Sequence, residues 1–270
     1  MLYDEGLAAQ PGRLTVQLLG PVRLGARQAD IILPPKVRQV LAVLALRSGS
    51  VVTHNTLITE LWGENPPRSA TTTMQTYIYQ LRQAVNQLGD DGQEFDALRT
   101  VSPGYALKGE SIEIDIDRFR ALIKRARVHL HDSPELTISL TRQALQLVRG
   151  DPLMDITLGQ ALIGSAVRLR EEIMNTRQLV IDAEIRLERY SEVIGELYEL
   201  CTRYPLREWF YYHLIDVLTR TGRRAEALAI YADLSRRLRS ELGVDPSQPL
   251  KRLYLQILNG DERSELTVFR

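Results

Sequence analysis

The sequence predicts a mostly α chain with a small β part near its N-terminus, and three observations carry that expectation. Short β-like runs, LTVQLLG, PVRLG and ADIILP, gather before residue 35, and one further pair, LRT and YALK, flanks a Pro-Gly turn at Pro103-Gly104. From Asp117 onward the texture is helical alone, with apolar residues returning every three or four positions. Within that helical half, ERYSEVIGELYEL from Glu188 aligns with GRRAEALAIYADL from Gly222 at an offset of 34 residues.

Residues 1–12 read as a loose leader ending at Pro11-Gly12, and the three short runs that follow read as strands broken at Gly20-Pro21 and around Gly25. Pro34-Pro35 opens a first helix, PPKVRQVLAVLALRSG, because proline suits a first turn and Gly49 a stop. Val37, Val40, Leu41 and Leu44 form its inner stripe. A second helix, HNTLITELWG, starts behind Thr53 as N-cap and ends at Gly63, with Leu57, Ile58, Leu61 and Trp62 facing inward. After the loop ENPPRSA comes a third helix, in which Met74, Ile78, Leu81, Val85 and Leu88 recur at spacings of four, three, four and three. Its other face carries Thr72, Thr76, Tyr79, Gln80 and Gln83, polar groups without a carboxylate. A helix so divided, preceded by two helices and followed by a hairpin, is the sequence form of a winged helix-turn-helix. That device lays one helix in a DNA major groove.

KGESIEIDI reads as a last strand and the crossing into the helical part, which places the boundary near 111–117. The expected domains are a winged helix over 13–110 and an all-α domain over 115–259. The 34-residue offset puts Glu192 on Glu226, Ile194 on Leu228 and Leu200 on Leu234. It is the tetratricopeptide period, in which each helix pair buries its face against neighbouring pairs. A non-repeating bundle with a chance match is the alternative. Ala225, Ala227 and Ala229 are expected to let adjacent helices approach closely.

At 270 residues the chain is long enough for two ordinary cores. Its formal net charge is zero, which argues against a nucleic-acid partner until position is considered. From Arg13 to Leu88 there are eight bases and three acids, and the acids of this half gather instead at Asp90, Asp91, Glu94 and Asp96. A modest positive field over the third helix suits phosphate attraction. Cys201 is the only cysteine, so no intrachain disulfide forms, and its setting in LYELCTRYP marks a small core residue. No apolar run approaches the roughly 20 residues that span a bilayer, and the N-terminus lacks an apolar signal region. A cytoplasmic protein associated with the nucleoid is expected.

With LLGPVRL, LPPKVRQVLAVLAL, LITELWGENPPRSATTTMQTYIYQLRQAV and SPGYAL in the first half, and IDIDRF and YPLREWFYYHLIDVLTRTGRRAEALAIYADLSRRLRSELGVDPSQPL in the second, the chain resembles the Streptomyces antibiotic regulatory protein family. The likeness runs from about Leu14 to Leu258, and TGRRAEAL to ELGVDPSQPL is its most specific part. The resemblance implies an OmpR-type winged helix joined to a bacterial transcriptional activation domain. It implies a transcriptional activator, often of a secondary-metabolite gene cluster, that binds direct repeats in double-stranded DNA near a promoter. A homodimer on DNA and contact with RNA polymerase, including its sigma factor, are implied as well. The segment LMDITLGQALIGSAV departs from the family pattern. The long ATPase extension of larger members does not appear in this sequence, and nucleotide-driven control is not expected.

In the winged-helix pattern, bases are met from the first three turns of the third helix, here at Thr72, Thr73, Thr76, Tyr77, Tyr79 and Gln80. Threonine offers a hydroxyl and a methyl to base edges and to thymine, and Gln80 can pair bidentate with adenine. The family's usual arginines are missing at several of these places, which points to adenine or thymine rather than guanine. Tyr77 flanks the buried stripe and is the one expected in the core. Arg82 stands where the matching family arginine reaches a phosphate; a surface salt bridge to Glu60 or Glu64 is its alternative. Lys36, Arg38 and Arg68 are further phosphate candidates at helix starts. His54 reads as a solvated turn residue. In the wing, Arg99 is placed along a minor groove, Ser102 and Gly104 in the hairpin, and Tyr105 in packing against the third helix. Gly104 is expected to supply the positive φ of a type II turn.

Other chemistry is not encoded. The sequence has no phosphate loop, no dinucleotide fingerprint, no nucleophile elbow and no second histidine pair beside His129 and His131 at metal-ligand spacing. Trp62, Trp209, Phe210, Tyr211 and Tyr212 sit at helical spacing and read as core rather than as a ligand cage. Neither an enzyme nor a cofactor or metal protein is expected. A ligand-gated repressor and a peptide-binding scaffold are the rival readings.

Overall fold

The structure, a computed structural model, describes residues 13–26, 29–89, 96–109 and 112–260. The expected leader, Arg27, the acidic positions 90, 91 and 94, and the tail after Gly260 lie outside the described residues. The elements run β1 (Leu14–Gln17), β2 (Arg23–Ala26), β3 (Ala29–Ile31), α1 (Pro35–Leu46), β4 (Val52–Thr53), α2 (His54–Trp62), α3 (Ala70–Gln87), β5 (Leu98–Val101), β6 (Gly104–Leu107) and β7 (Ile112–Ile114). Helices follow: α4 (Asp115–His129), α5 (Pro134–Gln146), α6 (Gln160–Arg186), α7 (Tyr190–Arg203), α8 (Glu208–Arg220), α9 (Arg224–Leu242) and α10 (Gln248–Asn259). The chain separates into two compact units, Met1–Val180 and Ile181–Arg270.

In the first unit, Leu14 and Val16 are buried while Thr15 and Gln17 are half-exposed, the alternation of a strand with one covered face. β1 pairs antiparallel with β2 and parallel with β7, giving the sheet order β3-β2-β1-β7. The chain therefore returns to its first sheet before the helical run begins. α1 is enclosed more completely than its stripe suggested: Ala42, Val43 and Ala45 are buried beside Val37, Val40, Leu41 and Leu44. Buried Gln39 donates from Nε2 to the Glu60 carbonyl at 2.8 Å. Thr53 caps α2 by accepting from the Thr56 amide at 3.2 Å, and Gly63 ends that helix at a φ of 68°. Met74, Ile78, Leu81 and Val85 are buried along α3, with Leu88 half-buried at its end.

Three carboxylates tie the β-rich segments to the helices that follow. Asp115, at the start of α4, accepts from the Leu18 amide at 2.9 Å and the Leu19 amide at 3.0 Å, with Arg149 at 3.7 Å. Burial pushes its carboxyl above the ordinary range, and the Leu19 and Leu18 amides and Arg149 oppose that rise. Asp155 accepts from the Val22 amide at 2.8 Å and pairs with Arg38. Glu60 of α2 is 4% exposed. Its two oxygens take the Gly159 amide at 2.6 Å and the Ala161 amide at 2.7 Å, capping α6. A Cβ at Gly159 would stand 2.5 Å from the Glu60 carbonyl oxygen, so the two segments touch backbone to backbone.

In the second unit, α7 starts at Tyr190 and α9 at Arg224, the same offset of 34 as the sequence match. The apolar pairs agree in environment, Leu200 and Leu234 being buried and Ile194 and Leu228 half-buried, whereas Glu192 is exposed and Glu226 half-buried. α8 packs against α7, α9 and α10. The alanine expectation needs correction. Ala227 is buried but Ala225 and Ala229 are exposed, because they lie on the outer face of a 19-residue helix whose inner line runs through Ala227, Leu234 and Leu238. Phe210, Tyr211 and Tyr212 are buried as core, and Trp209 packs on His213 with ring centroids 3.9 Å apart and planes tilted at 42°. Cys201 is buried, and desolvation pushes its thiol up to about 12.

Glu60→Ala removes both carboxylate acceptors from the α6 amides and should cost about 3 kcal/mol in urea unfolding, from the usual worth of hydrogen bonds to a charged group. A loss under half that value would mean water replaces the carboxylate freely. Stability also responds to pH through Asp182 and His213. Burial raises Asp182 from 3.8 to about 6, against a weaker pull from Arg186. Burial lowers His213 from 6.5 to about 4, with Arg220 acting in the same direction. Between 3.8 and about 6 the folded chain holds the extra proton at Asp182, so that contribution to stability falls as pH rises. Between about 4 and 6.5 the unfolded chain holds the extra proton at His213, so that contribution rises. Asp182→Asn should therefore gain on the wild type as pH rises, reaching of order 2 kcal/mol at neutrality. His213→Gln should show its gain at acid pH and lose it toward neutrality. Parallel pH curves for wild type and both variants would refute the assignment.

Candidate nucleic-acid interface

α3 contains no acidic residue between Ala70 and Gln87, and its buried stripe fixes which side chains protrude. Thr72, Thr76, Tyr79, Gln80 and Gln83 are all exposed, at successive helical turns. Tyr79 is 59% exposed and its hydroxyl accepts from Gln83 Nε2 at 2.8 Å. The Thr76 hydroxyl donates to the Thr72 carbonyl at 3.1 Å. Thr73 is half-buried at the margin of the ridge. Tyr77 turns aside from it: its ring stacks on Trp62 with centroids 6.3 Å apart and planes at 20°.

The wing is a three-stranded sheet in the order β4-β6-β5, so the hairpin is bonded to the entry of α2 rather than free. The structure corrects the turn. Gly104 does not adopt a positive φ, and the Ser102–Pro103 peptide is cis. Glycine is required here for space: a Cβ on Gly104 would lie 1.9 Å from the Val52 carbonyl oxygen, where β6 crosses β4. Gly104 is buried, whereas Ser102 is exposed at the tip. Tyr105 is buried as expected, and His54 packs on it with centroids 5.1 Å apart. His54 is thus half-buried packing rather than a solvated turn residue, since the pairing of β4 with β6 brings it over that ring.

The cations divide into two groups. Arg68 is exposed just before α3, and Arg99 is exposed on β5. Arg82 donates from Nη2 to the Thr100 hydroxyl at 2.7 Å, with its guanidinium 5.9 Å from the Tyr105 ring centre. It joins helix to wing and touches neither Glu60 nor Glu64, because Glu60 is spent on α6. Asp96 accepts from Arg99 at 3.0 Å and also pairs with Lys108, and these two partners hold its carboxyl below the usual range. Lys36 and Arg38, expected at phosphates, are engaged inside the fold. Lys36 donates to the Leu61 carbonyl at 2.8 Å, and Arg38 pairs with Asp155. Sequence reading missed Thr100, Asp96 and Lys108 as wing residues. Arg99, Thr100 and Val101 are all exposed in succession, so no alternation marked which of them faces α3. Among the described residues, no cluster of three metal-ligating side chains occurs, and no helix is long and apolar enough to cross a membrane.

A small sheet, three helices with a polar third and a three-stranded wing define a winged-helix protein of the transcription-regulator class. Residues 28–107 match the family described as transcriptional regulatory protein, C terminal, and residues 114–258 match the bacterial transcriptional activator domain. Regulatory protein DnrI of Streptomyces peucetius is 34% identical over 92% of this chain and 93% of its own length. Transcriptional regulator RedD of Streptomyces coelicolor is 31% identical over 96% of this chain and 73% of its own. Mycobacterium tuberculosis EmbR, solved in complex with a low-affinity phosphopeptide, superposes with a TM-score of 0.82 at 30% identity, covering 92% of this chain and 65% of that one. The chain belongs to the Streptomyces antibiotic regulatory protein family, with an OmpR-type winged helix and a bacterial transcriptional activator domain.

Gly104→Ala tests the wing. The added methyl has no space against the Val52 carbonyl, so β6 must separate from β4 at a cost of about 2 kcal/mol. Amide exchange at Val52 and Tyr105 should accelerate in the variant, and unchanged protection would contradict the close approach.

Proposed function

We propose that this transcriptional activator binds double-stranded DNA at direct repeats beside a promoter, as a homodimer, and brings RNA polymerase with its sigma factor to that site. The observation that carries the proposal is the acid-free ridge of Thr72, Thr76, Tyr79 and Gln80, exposed on a helix whose opposite face is anchored in the core. In this reading Thr72, Thr76 and Gln80 meet base edges, with Thr73 at the margin, and Tyr79 braced by Gln83 meets sugar or base. Arg68 and the Ser102 hydroxyl meet phosphates, Arg99 lies along a minor groove, and Arg82 sets the wing against the helix while facing the backbone. Tyr77, Gly104, Lys36 and Arg38 support the site from within.

Residues 13–110 would carry recognition, and 115–259 the contacts with polymerase and with the second protomer. Pathway-specific control of a secondary-metabolite cluster agrees with the antibiotic-regulator family. A location at the nucleoid, without catalysis, cofactor or metal, completes the reading. Two linked protomers on repeated half-sites multiply affinity without further base contacts.

An electrophoretic shift on DNA upstream of the protein's own gene, across a salt series, tests this. Binding should weaken steeply with salt. Thr76→Ala with Gln80→Ala should lose roughly 10- to 100-fold in affinity for the specific site and little for random duplex, from the usual worth of groove contacts. Equal affinity of the double variant for the specific site would place recognition elsewhere.

A further inference from the structure

α4 presents a face that neither the core nor the winged helix uses. Its inner line is Ile116, Phe119, Leu122, Ile123 and Ala126. Outward lie Ala121 and Val128, and Val128 is 69% exposed. Helical spacing puts these two small apolar groups along the middle of the outer face. Lys124 and Arg127 flank the strip on one side and Arg125 on the other. All three are exposed and none has an ion pair or hydrogen bond among the described residues. Arg120, one turn earlier, is the exception, held by Glu172 at 2.9 Å. The stretch from Arg120 to His131 contains four lysine or arginine residues, two histidines and no acidic residue, in a chain whose formal net charge is zero.

Three neighbouring uncommitted cations repel one another, and an exposed valine at their centre lowers solubility without improving the core. A duplex backbone would answer the cations but not the valine, since phosphates and sugars give an apolar strip little to bury against. A helical or extended protein segment with carboxylates on either side of a small apolar residue answers both. We infer that the outer face of α4 docks an acidic, amphipathic protein segment of the transcription machinery. The inference rests on the proposed promoter function and names the chemistry of the partner contact in it. Its position in the first unit ties the surface to the DNA-binding helices, because Asp115, the first residue of α4, is bonded to Leu18 and Leu19.

The test uses the chain of 270 residues with Lys124→Glu, Arg125→Glu and Arg127→Glu combined, and separately the neutral set Lys124→Gln, Arg125→Gln and Arg127→Gln. Val128→Ser forms a third variant that leaves charge untouched. Each is measured for unfolding midpoint, affinity for the upstream duplex, and transcription in vitro from that promoter by purified Streptomyces RNA polymerase holoenzyme. The expected result is wild-type stability and duplex affinity within twofold. Activated transcription should fall more than tenfold for the charge-reversed set and severalfold for the neutral set and for Val128→Ser. Undiminished activation overturns the inference. So does a loss of duplex affinity that accounts for the loss of transcription, which would make the surface a DNA contact. If the wild type neither binds the duplex nor activates, the proposed function itself has failed, and that outcome is read before any variant is compared.

Discussion

Buried and half-buried carboxylates that accept main-chain amides from distant segments hold the first unit together. Asp115 closes on the turn after β1, Asp155 on Val22, and Glu60 on the first amides of α6. Asp115 and Glu60 are drawn out of water, and bonds to amides that would otherwise stand unpaired offset that cost, while Asp155 is half-buried and also paired with Arg38. The backbone amides at a helix start are natural partners for such a charge, because they have no acceptor within their own helix. Main-chain bonds from the Arg149 and Leu153 amides to the carbonyls of Leu19 and Gly20 add to these links. Apolar contact is non-directional, so these polar bonds fix the register between the β-rich segments and the helices after them.

The same links explain why α3 can be so polar on one side. A recognition ridge of threonine, tyrosine and glutamine contributes nothing to the core, so its backbone must be held by other parts. Met74, Ile78 and Leu81 supply the anchor below, Trp62 stacks on Tyr77 at one flank, and Arg82 reaches Thr100 at the other. The helix is therefore gripped on three sides while its fourth stays free for a ligand. Preorganisation of this kind lowers the ordering cost that binding otherwise carries. It also separates roles among cations that look alike in the sequence: Arg68 and Arg99 face solvent, whereas Arg38 completes a pair inside the fold.

Much of the architecture was legible because periodicity records burial directly. The α3 stripe, the Thr53 cap, the buried Tyr105 and the 34-residue correspondence of α7 with α9 were all written in local spacing. What the sequence left unseen depends on partners far away along the chain. Arg38 meets Asp155 across 117 positions, and nothing near Arg38 distinguishes it from a solvated arginine. Gly104 was assigned to a conformational need when its need is steric, set by Val52 on another strand. The segment LMDITLGQALIGSAV departed from the family pattern, and it is the one that supplies Asp155, Gly159 and Ala161 to the carboxylate links.

By itself the sequence determined which stretches are helix or strand, which face of each is apolar, and the family to which the chain belongs. These follow from short-range spacing and from ordered motifs, and both survive without coordinates. Tertiary structure alone decided which charged groups are withdrawn into the fold and which remain at the surface. A lone arginine or glutamate has the same local signature in either state. Its fate depends on whether folding brings an opposite charge or an unpaired amide within about 3 Å, the reach of a hydrogen bond.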